Sequence, residues 1–506
     1  MKAILGLDQG TSSSRAVLVR PDGTISHTAQ RELPQMYPQP GWVEQDPEAI
    51  WTSQAAAVRA LLSEAGLDPS QIHCIGITNQ RETTIVWERA TGRPIANAIV
   101  WQDRRTGQYC RELAGRGTNG VSVETTVRNK TGLVLDAYFS ASKIRWILDH
   151  VPGAKAQAWA GQLAFGTVDS WLVWKLTGGR RHITDVTNAS RTMLFNIHTL
   201  QWDDDLLEIF GVPRSILPEV VDSSGDLAVT SELVPQIKIT GIAGDQQAAL
   251  FGQMCIRPGM AKNTYGTGCF LMLQTGNKPI FSKHKMLTTI AWRRMEETMY
   301  ALEGSIFVAG AAIQWLRDGL GILNSAPEVE ALAASVPDSG GVVFVPALTG
   351  LGAPHWDPHA RGAIFGLTRG TTRAHIARAA LEGIALEVAD IVRAMESDAQ
   401  EAGAGMRVQE LRVDGGASTN DLLMQMQADL LDIPIVRSQT AEATVLGACY
   451  LAGLAAGVWS NVEEVARQWH ESRRFEPRLD AGERDRKLAA WKQGIQRAEG
   501  WDAASE

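Results

Sequence analysis

Asp8-Gln9-Gly10-Thr11-Ser12-Ser13-Ser14-Arg15 interrupts two apolar runs, Ala3-Ile4-Leu5-Gly6-Leu7 before it and Ala16-Val17-Leu18-Val19 after it. The pattern predicts strand, tight turn, strand, with Gly10 permitting the sharp reversal. The hydroxyls of Thr11 to Ser14 then stand beside backbone N–H groups, a concave donor cluster of the kind that holds phosphate oxygens. Asp8 aims a carboxylate at the same place. A carboxylate repels phosphate unless a divalent cation lies between them, so the arrangement implies Mg²⁺. Taken alone, the segment reads sooner as a hairpin whose polar turn merely faces water, and the rest of the chain has to decide.

Two further strand ends carry charged groups. Ile72 to Ile77 reads as a strand followed by Thr78-Asn79-Gln80-Arg81-Glu82, and ligands of open α/β sheets sit at carboxyl strand ends. Arg81 beside Glu82 offers donor and acceptor to the hydroxyls of a polyol, against the alternative of a surface ion pair worth little. Trp101, at the end of a neighbouring strand, offers an aromatic wall or plain core packing. Ile237 to Ile242 reads as another strand, ending in Ala243-Gly244-Asp245-Gln246. Asp245 is placed to accept the proton of an attacking hydroxyl in phosphoryl transfer.

Ala261 to Leu273 repeats the opening theme of strand, Gly-Thr turn and strand, with Thr267 in the turn. A second, related domain is predicted to begin there. The boundary falls near residues 250 to 258, where Arg257-Pro258-Gly259 breaks the chain, giving an N-terminal domain 1–250 and a C-terminal domain 251–506. Two such hairpins would present donor-rich turns to one phosphate chain from opposite sides. Leu411 to Asp414 reads as a strand running into Gly415-Gly416, with Asn420 capping the next helix; the paired glycines leave room for a flat group such as a purine.

The elements that must hold these residues alternate between strand and helix, an α/β pattern. Asp46-Pro47 starts a helix that runs to Gly66, with Ile50, Gln54, Ala57, Val58, Leu61 and Leu62 on its buried stripe. Ser140 is a plausible N-cap for a helix running to His150, Ala309 to Trp315 is a small-residue helix, and Thr372 to Met395 is a long amphipathic one. Asp480 to Glu506 reads as a charged, solvated terminal element.

A chain of 506 residues exceeds the size of one growing core, so two domains are implied. A hydrophobic share of 44%, a charged share of 21% and a net charge of −8 are those of a globular protein that does not bind nucleic acid nonspecifically. Five scattered cysteines without a CxxC pair point to reduced thiols, no disulfide and no zinc. The short apolar start is not a signal peptide and no run is long enough for membrane insertion, which places the chain in the cytoplasm. With no Gly-Lys dipeptide and no GxGxxG, P-loop, Rossmann and protein-kinase chemistries are disfavoured.

Whole stretches of this sequence resemble the FGGY family of carbohydrate kinases, within the actin/hexokinase/Hsp70 superfold. They include Leu7 to Thr11, Gly41 to Glu44, Gly76 to Trp87 (GITNQRETTIVW), Gly241 to Gly252 (GIAGDQQAALFG), Asn263 to Phe270 (NTYGTGCF) and Gly350 to Gly370. Both family signatures, Tyr138 to His150 and Gly362 to Glu382, are filled. The resemblance implies two ribonuclease-H-like domains flanking a central cleft. It also implies ATP-dependent phosphorylation of glycerol to sn-glycerol 3-phosphate, the first step of glycerol catabolism. By position, Arg81, Glu82, Tyr138, Asp245 and Gln246 would hydrogen-bond glycerol and Trp101 and Phe270 would pack on its carbons, with Asp245 as general base. Thr11, Ser12, Ser13, Arg15 and Thr267 would hold the phosphates, Gly310, Gln314, Gly416 and Asn420 the adenosine, and Asp8 the Mg²⁺ ion. Residues 222 to 240 lack both the family's glycine-rich loop ending in arginine, which binds a sugar bisphosphate, and its phosphorylated histidine. The resemblance therefore implies neither mode of regulation, while leaving room for a homodimer. A kinase for a longer sugar and a nucleotide-gated binding protein on the same superfold are the competing readings.

Overall fold

The computed structural model describes residues 3–118 and 120–502. Thirteen strands form one mixed sheet: β1 (Ala3–Gln9), β2 (Ser13–Val19), β3 (Ile25–Glu32), β4 (Ile72–Asn79), β5 (Ser224–Val229), β6 (Lys238–Gly244), β7 (Ala261–Tyr265), β8 (Cys269–Gly276), β9 (Leu287–Arg294), β10 (Glu297–Ile306), β11 (Leu411–Asp414), β12 (Ile435–Ser438) and β13 (Glu471–Phe475). Their spatial order is β13-β12-β11-β7-β8-β10-β9-β5-β6-β4-β1-β2-β3. The two halves repeat one topology. β1 pairs antiparallel with β2 and parallel with β4, which is parallel to β6; β7 pairs antiparallel with β8 and parallel with β11, which is parallel to β12. Between the halves, β5 and β9 pair only at Ser224 and Arg294.

Eight helices matter for the site: α1 (Pro47–Ala65), α2 (Ser140–His150), α3 (Asp245–Gly252), α4 (Gly310–Asp318), α5 (Arg373–Glu401), α6 (Asp421–Leu431), α7 (Ala443–Ala455) and α8 (Ala481–Ala498). α1 starts as its sequence dictates, with Asp46 accepting from Glu48 N, Pro47 in the first turn and Gly66 closing the helix in the left-handed conformation. α7 is encoded in the second half yet lies on the strands of the first. Gly6, Gly76 and Gly241 stand in register across β1, β4 and β6. At each of them an added Cβ would collide with α7, at Cys449, Ala448 and Ala452. On its other side α7 crosses α3 just as closely, because a Cβ on Gly447 would overlap Ala248 O and one on Gly252 would overlap Ala443 O. One apolar cluster therefore joins both halves, with Ile4, Cys74, Phe251, Met272, Val445 and Leu451 in it.

Gly10 makes the tight reversal without a left-handed backbone: its N–H donates to Ser13 O (2.9 Å) and a side chain there would crowd that carbonyl. Two local expectations need correction. Ser140 is the first residue of α2 rather than its cap, and its hydroxyl donates to Glu82 O (3.0 Å). The terminal helix is not simply solvated: α8 is amphipathic, burying Trp491, Ile495 and Ala498 in the second half's core, with Trp491 Nε1 donating to Asp390 Oδ2 (2.7 Å). Residues 503–506 of that tail lie outside the described residues.

The helix crossing generates a prediction. Gly447→Ala has no room against backbone, so α3 and α7 must separate at a cost of roughly 1–3 kcal/mol. Urea unfolding reads that loss. Because α3 begins at Asp245, turnover is expected to fall in the same variant.

Candidate active site

The carboxyl ends of β1, β4 and β6 lie side by side, Gln9 opposite Asn79 and Asn79 opposite Gly244. The Asp8–Arg15 turn, Arg81-Glu82 and Asp245 therefore leave one sheet edge together. The second half does the same with Thr264 opposite Asp414, so that the Thr267 turn and Gly415-Gly416 emerge as neighbours.

The first turn is held with its carbonyls inward. Gln9 Nε2 donates to Gly10 O (2.9 Å), Gln80 Nε2 to Gly10 O (3.2 Å) and Gln45 Nε2 to Thr11 O (2.6 Å). The N–H groups of Thr11 and Ser12 take no acceptor among the described residues. Unpaired N–H groups in a turn are what an anion requires. Ser14, grouped with these hydroxyls from the sequence, turns inward instead and shares a hydrogen bond with Ser53 Oγ (2.8 Å). Arg15 pairs with Glu442, the residue preceding α7, which ties the turn to the second half.

The second turn is built alike. Ala309 N and Ala311 N donate to Thr267 O (2.8 and 3.1 Å), and Gly310 N to Gly266 O (3.1 Å), so α4 starts directly behind it. Gly310 is required there, because a Cβ would press on Gly266 O. Gln314 is exposed on α4, Gly416 is exposed with open space where a side chain would go, and Asn420 caps α6 by accepting from Leu423 N (2.9 Å).

A contact path joins the two turns. Trp101 Nε1 donates to Thr11 Oγ1 (2.9 Å), and the Trp101 ring meets Tyr138 edge-on at 5.7 Å and Phe270 at 6.2 Å. Phe270 follows the Thr267 turn by three residues, so the aromatic wall is shared between halves.

Behind the wall lies a buried charge cluster that was only partly visible in the sequence. Arg81 donates to Glu303 with both terminal nitrogens (2.6 and 2.9 Å), to Gln247 Oε1 (3.1 Å) and to Tyr138 OH (3.4 Å), while its Nε faces Asp245 Oδ1 (3.2 Å). Arg191 bridges Glu82 Oε1 (2.6 Å) and Glu303 Oε1 (3.0 Å). Arg81 and Glu82 are thus less each other's partners, at 3.6 Å, than partners of Glu303 and Arg191. Glu82 adopts φ 61°, held there by Ser140 Oγ and Thr84 Oγ1, both donating to its carbonyl at 3.0 Å. A non-glycine residue in that conformation costs about 1–3 kcal/mol and marks a place where the surroundings dictate the backbone.

The cluster sets the state of Asp245. Its Oδ1 accepts from Gln246 N (2.7 Å) as well as facing Arg81, whereas Oδ2 has no partner among the described residues. Desolvation among its buried neighbours lifts the Asp245 carboxyl to about 6 although 31% of its side chain stays exposed, with Arg81 opposing the shift and Glu82 reinforcing it. Burial also lifts Asp8 to about 6, with Arg15 opposing and Glu442 and Asp245 adding to it. Burial alone would lift Glu303 as well, but Arg191 and Arg81 outweigh it and hold Glu303 at about 2. Behind the strand ends, Thr187 Oγ1 accepts from Gly244 N (2.9 Å) and donates to Asp185 (2.9 Å), and Asn188 exchanges amide hydrogen bonds with Asn79 (3.0 and 3.2 Å). Glu303, Arg191, Lys262, Asp185 and the three glutamines escaped the sequence reading. The available signal was a carboxylate inside an apolar strand, Ala301-Leu302-Glu303-Gly304.

Glu303→Ala is predicted to leave Arg81 and Arg191 buried without their shared carboxylate, at a cost of about 3–5 kcal/mol. Chemical denaturation reads this, and a loss below ~1 kcal/mol would mean that the pairing does not hold the site together.

Residues 3–252 match the N-terminal domain of the FGGY family of carbohydrate kinases and residues 261–456 its C-terminal domain. The chain is 59% identical to a glycerol kinase of Burkholderia multivorans over 98% of both chains. It is 58% identical to a glycerol kinase of Aromatoleum aromaticum over the full length of both. Among solved structures it superposes on Plasmodium falciparum glycerol kinase with ADP at a TM-score of 0.91, with 36% identity and 98% of each chain covered. The fold, the paired hairpin turns and these full-length similarities establish that this chain belongs to the FGGY family of carbohydrate kinases.

Proposed function

We propose that this chain transfers the terminal phosphoryl group of ATP to glycerol, giving sn-glycerol 3-phosphate and ADP, with Asp245 as general base. The observation that carries this reading is the Asp245 carboxylate, with Oδ1 engaged by Arg81 and Gln246 N and Oδ2 without a partner among the described residues. Oδ2 takes the proton of the attacking hydroxyl as its oxygen bonds to phosphorus and the bond from phosphorus to the ADP oxygen breaks. A pKa near 6 keeps the carboxylate ionised at neutral pH while leaving it more basic than an exposed aspartate.

In this reading the domain 1–250 supplies the acceptor site and the first phosphate turn, and the domain 251–506 supplies Thr267 and most of the adenosine site. Trp101, Tyr138 and Phe270 cover the carbon skeleton, and Arg81, Glu82, Tyr138 and Gln246 face its hydroxyls. The terminal nitrogens of Arg81 already donate to Glu303, Gln247 and Tyr138, whereas its Nε makes only an ion-pair contact with Asp245 and is the donor left for a hydroxyl. Thr11, Ser12, Ser13, Arg15 and Thr267 hold the phosphates, and Gly310, Gln314, Gly416 and Asn420 border the adenosine.

Asp8 suits a Mg²⁺ ion carried in with the nucleotide. Its carboxylate accepts no hydrogen bond among the described residues, and its raised pKa reports a negative charge short of compensation. One carboxylate plus phosphate oxygens and water suffices for such an ion. When bound, it would neutralise charge on the phosphates, and Asp8 would be the residue that holds it. No helix among the described residues is long and apolar enough to cross a membrane.

Two outcomes test the reading. Purified protein should release ADP from Mg-ATP when glycerol is present and not when it is omitted or replaced by xylulose; equal ADP release without an acceptor would favour a nucleotide switch. Asp245→Asn should lower kcat by about 10²- to 10⁴-fold with ATP binding retained. For the unmodified protein, kcat/KM for glycerol should decline as pH drops through about 6, where Asp245 takes up its proton.

A further inference from the structure

Lys262 is buried and sits on β7 of the second half. Its ammonium donates to Gln246 Oε1 (2.5 Å), Thr264 Oγ1 (3.0 Å) and Phe270 O (3.2 Å), which uses all three of its N–H bonds. Gln246 is the residue after Asp245, on α3 of the first half. Thr264 leads into the second phosphate turn, and Phe270 belongs to the aromatic wall.

An ammonium only donates, so whatever it holds must be an acceptor. The oxygen of the Gln246 amide is therefore committed to Lys262, and the amide cannot turn over without placing an NH₂ against an NH₃⁺. Its Nε2 takes no partner among the described residues, and it is not one of the buried atoms left without a partner, so solvent reaches it. What Gln246 offers beside Asp245 is a hydrogen-bond donor. From this geometry we infer that Lys262 is a positioning residue that fixes Gln246 as a donor toward an oxygen of the acceptor alcohol. This inference rests on the glycerol-kinase reading of the site. It adds a division of labour. Asp245 accepts a proton from one hydroxyl, while Gln246 donates to a lone pair of the alcohol, so the site discriminates against acceptors without an oxygen there.

Burial lowers the Lys262 ammonium to about 8, with Asp414, Asp245 and Glu303 opposing the shift and Arg81 adding to it. Those groups lie on β11, α3, β10 and the loop after β4. Protonated below that value, Lys262 can only donate and so fixes the amide; deprotonated above it, the nitrogen gains a lone pair that can accept from the amide NH₂, and the orientation of Gln246 is no longer enforced. The alkaline side of the pH profile thus reports Lys262, as the acid side reports Asp245.

The test compares unmodified protein with Lys262→Met and Lys262→Arg, varying glycerol and Mg-ATP separately between pH 6 and 10 and recording Tm for each. In Lys262→Met, KM for glycerol should rise about tenfold or more, with KM for ATP changed less than twofold, and the alkaline limb near pH 8 should disappear. Lys262→Arg should recover part of the glycerol affinity and move that limb upward, which keeps the test decisive if Lys262→Met does not fold. A lower Tm with both KM values moved equally, or an alkaline limb unchanged in either variant, would overturn the inference. Failure of the unmodified protein to phosphorylate glycerol would instead overturn the underlying reading.

Discussion

Everything at this site depends on keeping full charges away from water without leaving any of them alone. Arg81, Arg191 and Lys262 face Glu82 and Glu303, all of them buried, and Asp245, whose side chain keeps 31% exposure; each cation has at least one acceptor within 3.2 Å. Removing charges from water costs several kcal/mol per ion, and only close, well-oriented partners offset it. That requirement fixes Arg81, which in turn fixes one oxygen of Asp245. The other oxygen stays free, and the low-dielectric surroundings make it a better proton acceptor than an exposed carboxylate.

The fold serves this constraint by bringing strand ends from two copies of one topology to a shared edge. Neither copy completes the site. The first supplies Asp8, Arg81, Glu82 and Asp245; the second supplies Glu303, Lys262, Phe270 and the Thr267 turn. The halves are tied by α7, whose small residues let it lie on the glycine row of β1, β4 and β6 while crossing α3 at Gly447 and Gly252. Because α3 starts at Asp245, the placement of that carboxylate and the crossing of the two helices are one geometric fact. Glycines with no evident turn to make, such as Gly76 and Gly241, thereby acquire a purpose.

The sequence disclosed the polar groups at the strand ends and concealed those that hold them. Asp8, Thr11, Asp245 and Thr267 stand at strand–turn boundaries, where a polar residue after an apolar run is conspicuous. Glu303 and Lys262 sit inside strands and Arg191 follows a short helical turn, so local pattern gives them no setting; their partners lie more than a hundred residues away in Glu303's case. The helices were legible because periodicity is local, as α1 and α5 show. The terminal helix was misjudged because its charged face dominates the composition while Trp491 and Ile495, spaced a turn apart, do the docking.

The ionisation of Asp245 itself bears most directly on this account. Carbon-13 NMR of protein labelled at the aspartate carboxyl carbon, compared with Asp245→Asn, isolates its titration. A resonance missing from the variant and titrating near pH 6 in the unmodified protein is the predicted result. A midpoint in the ordinary aspartate range, near 4, would contradict it.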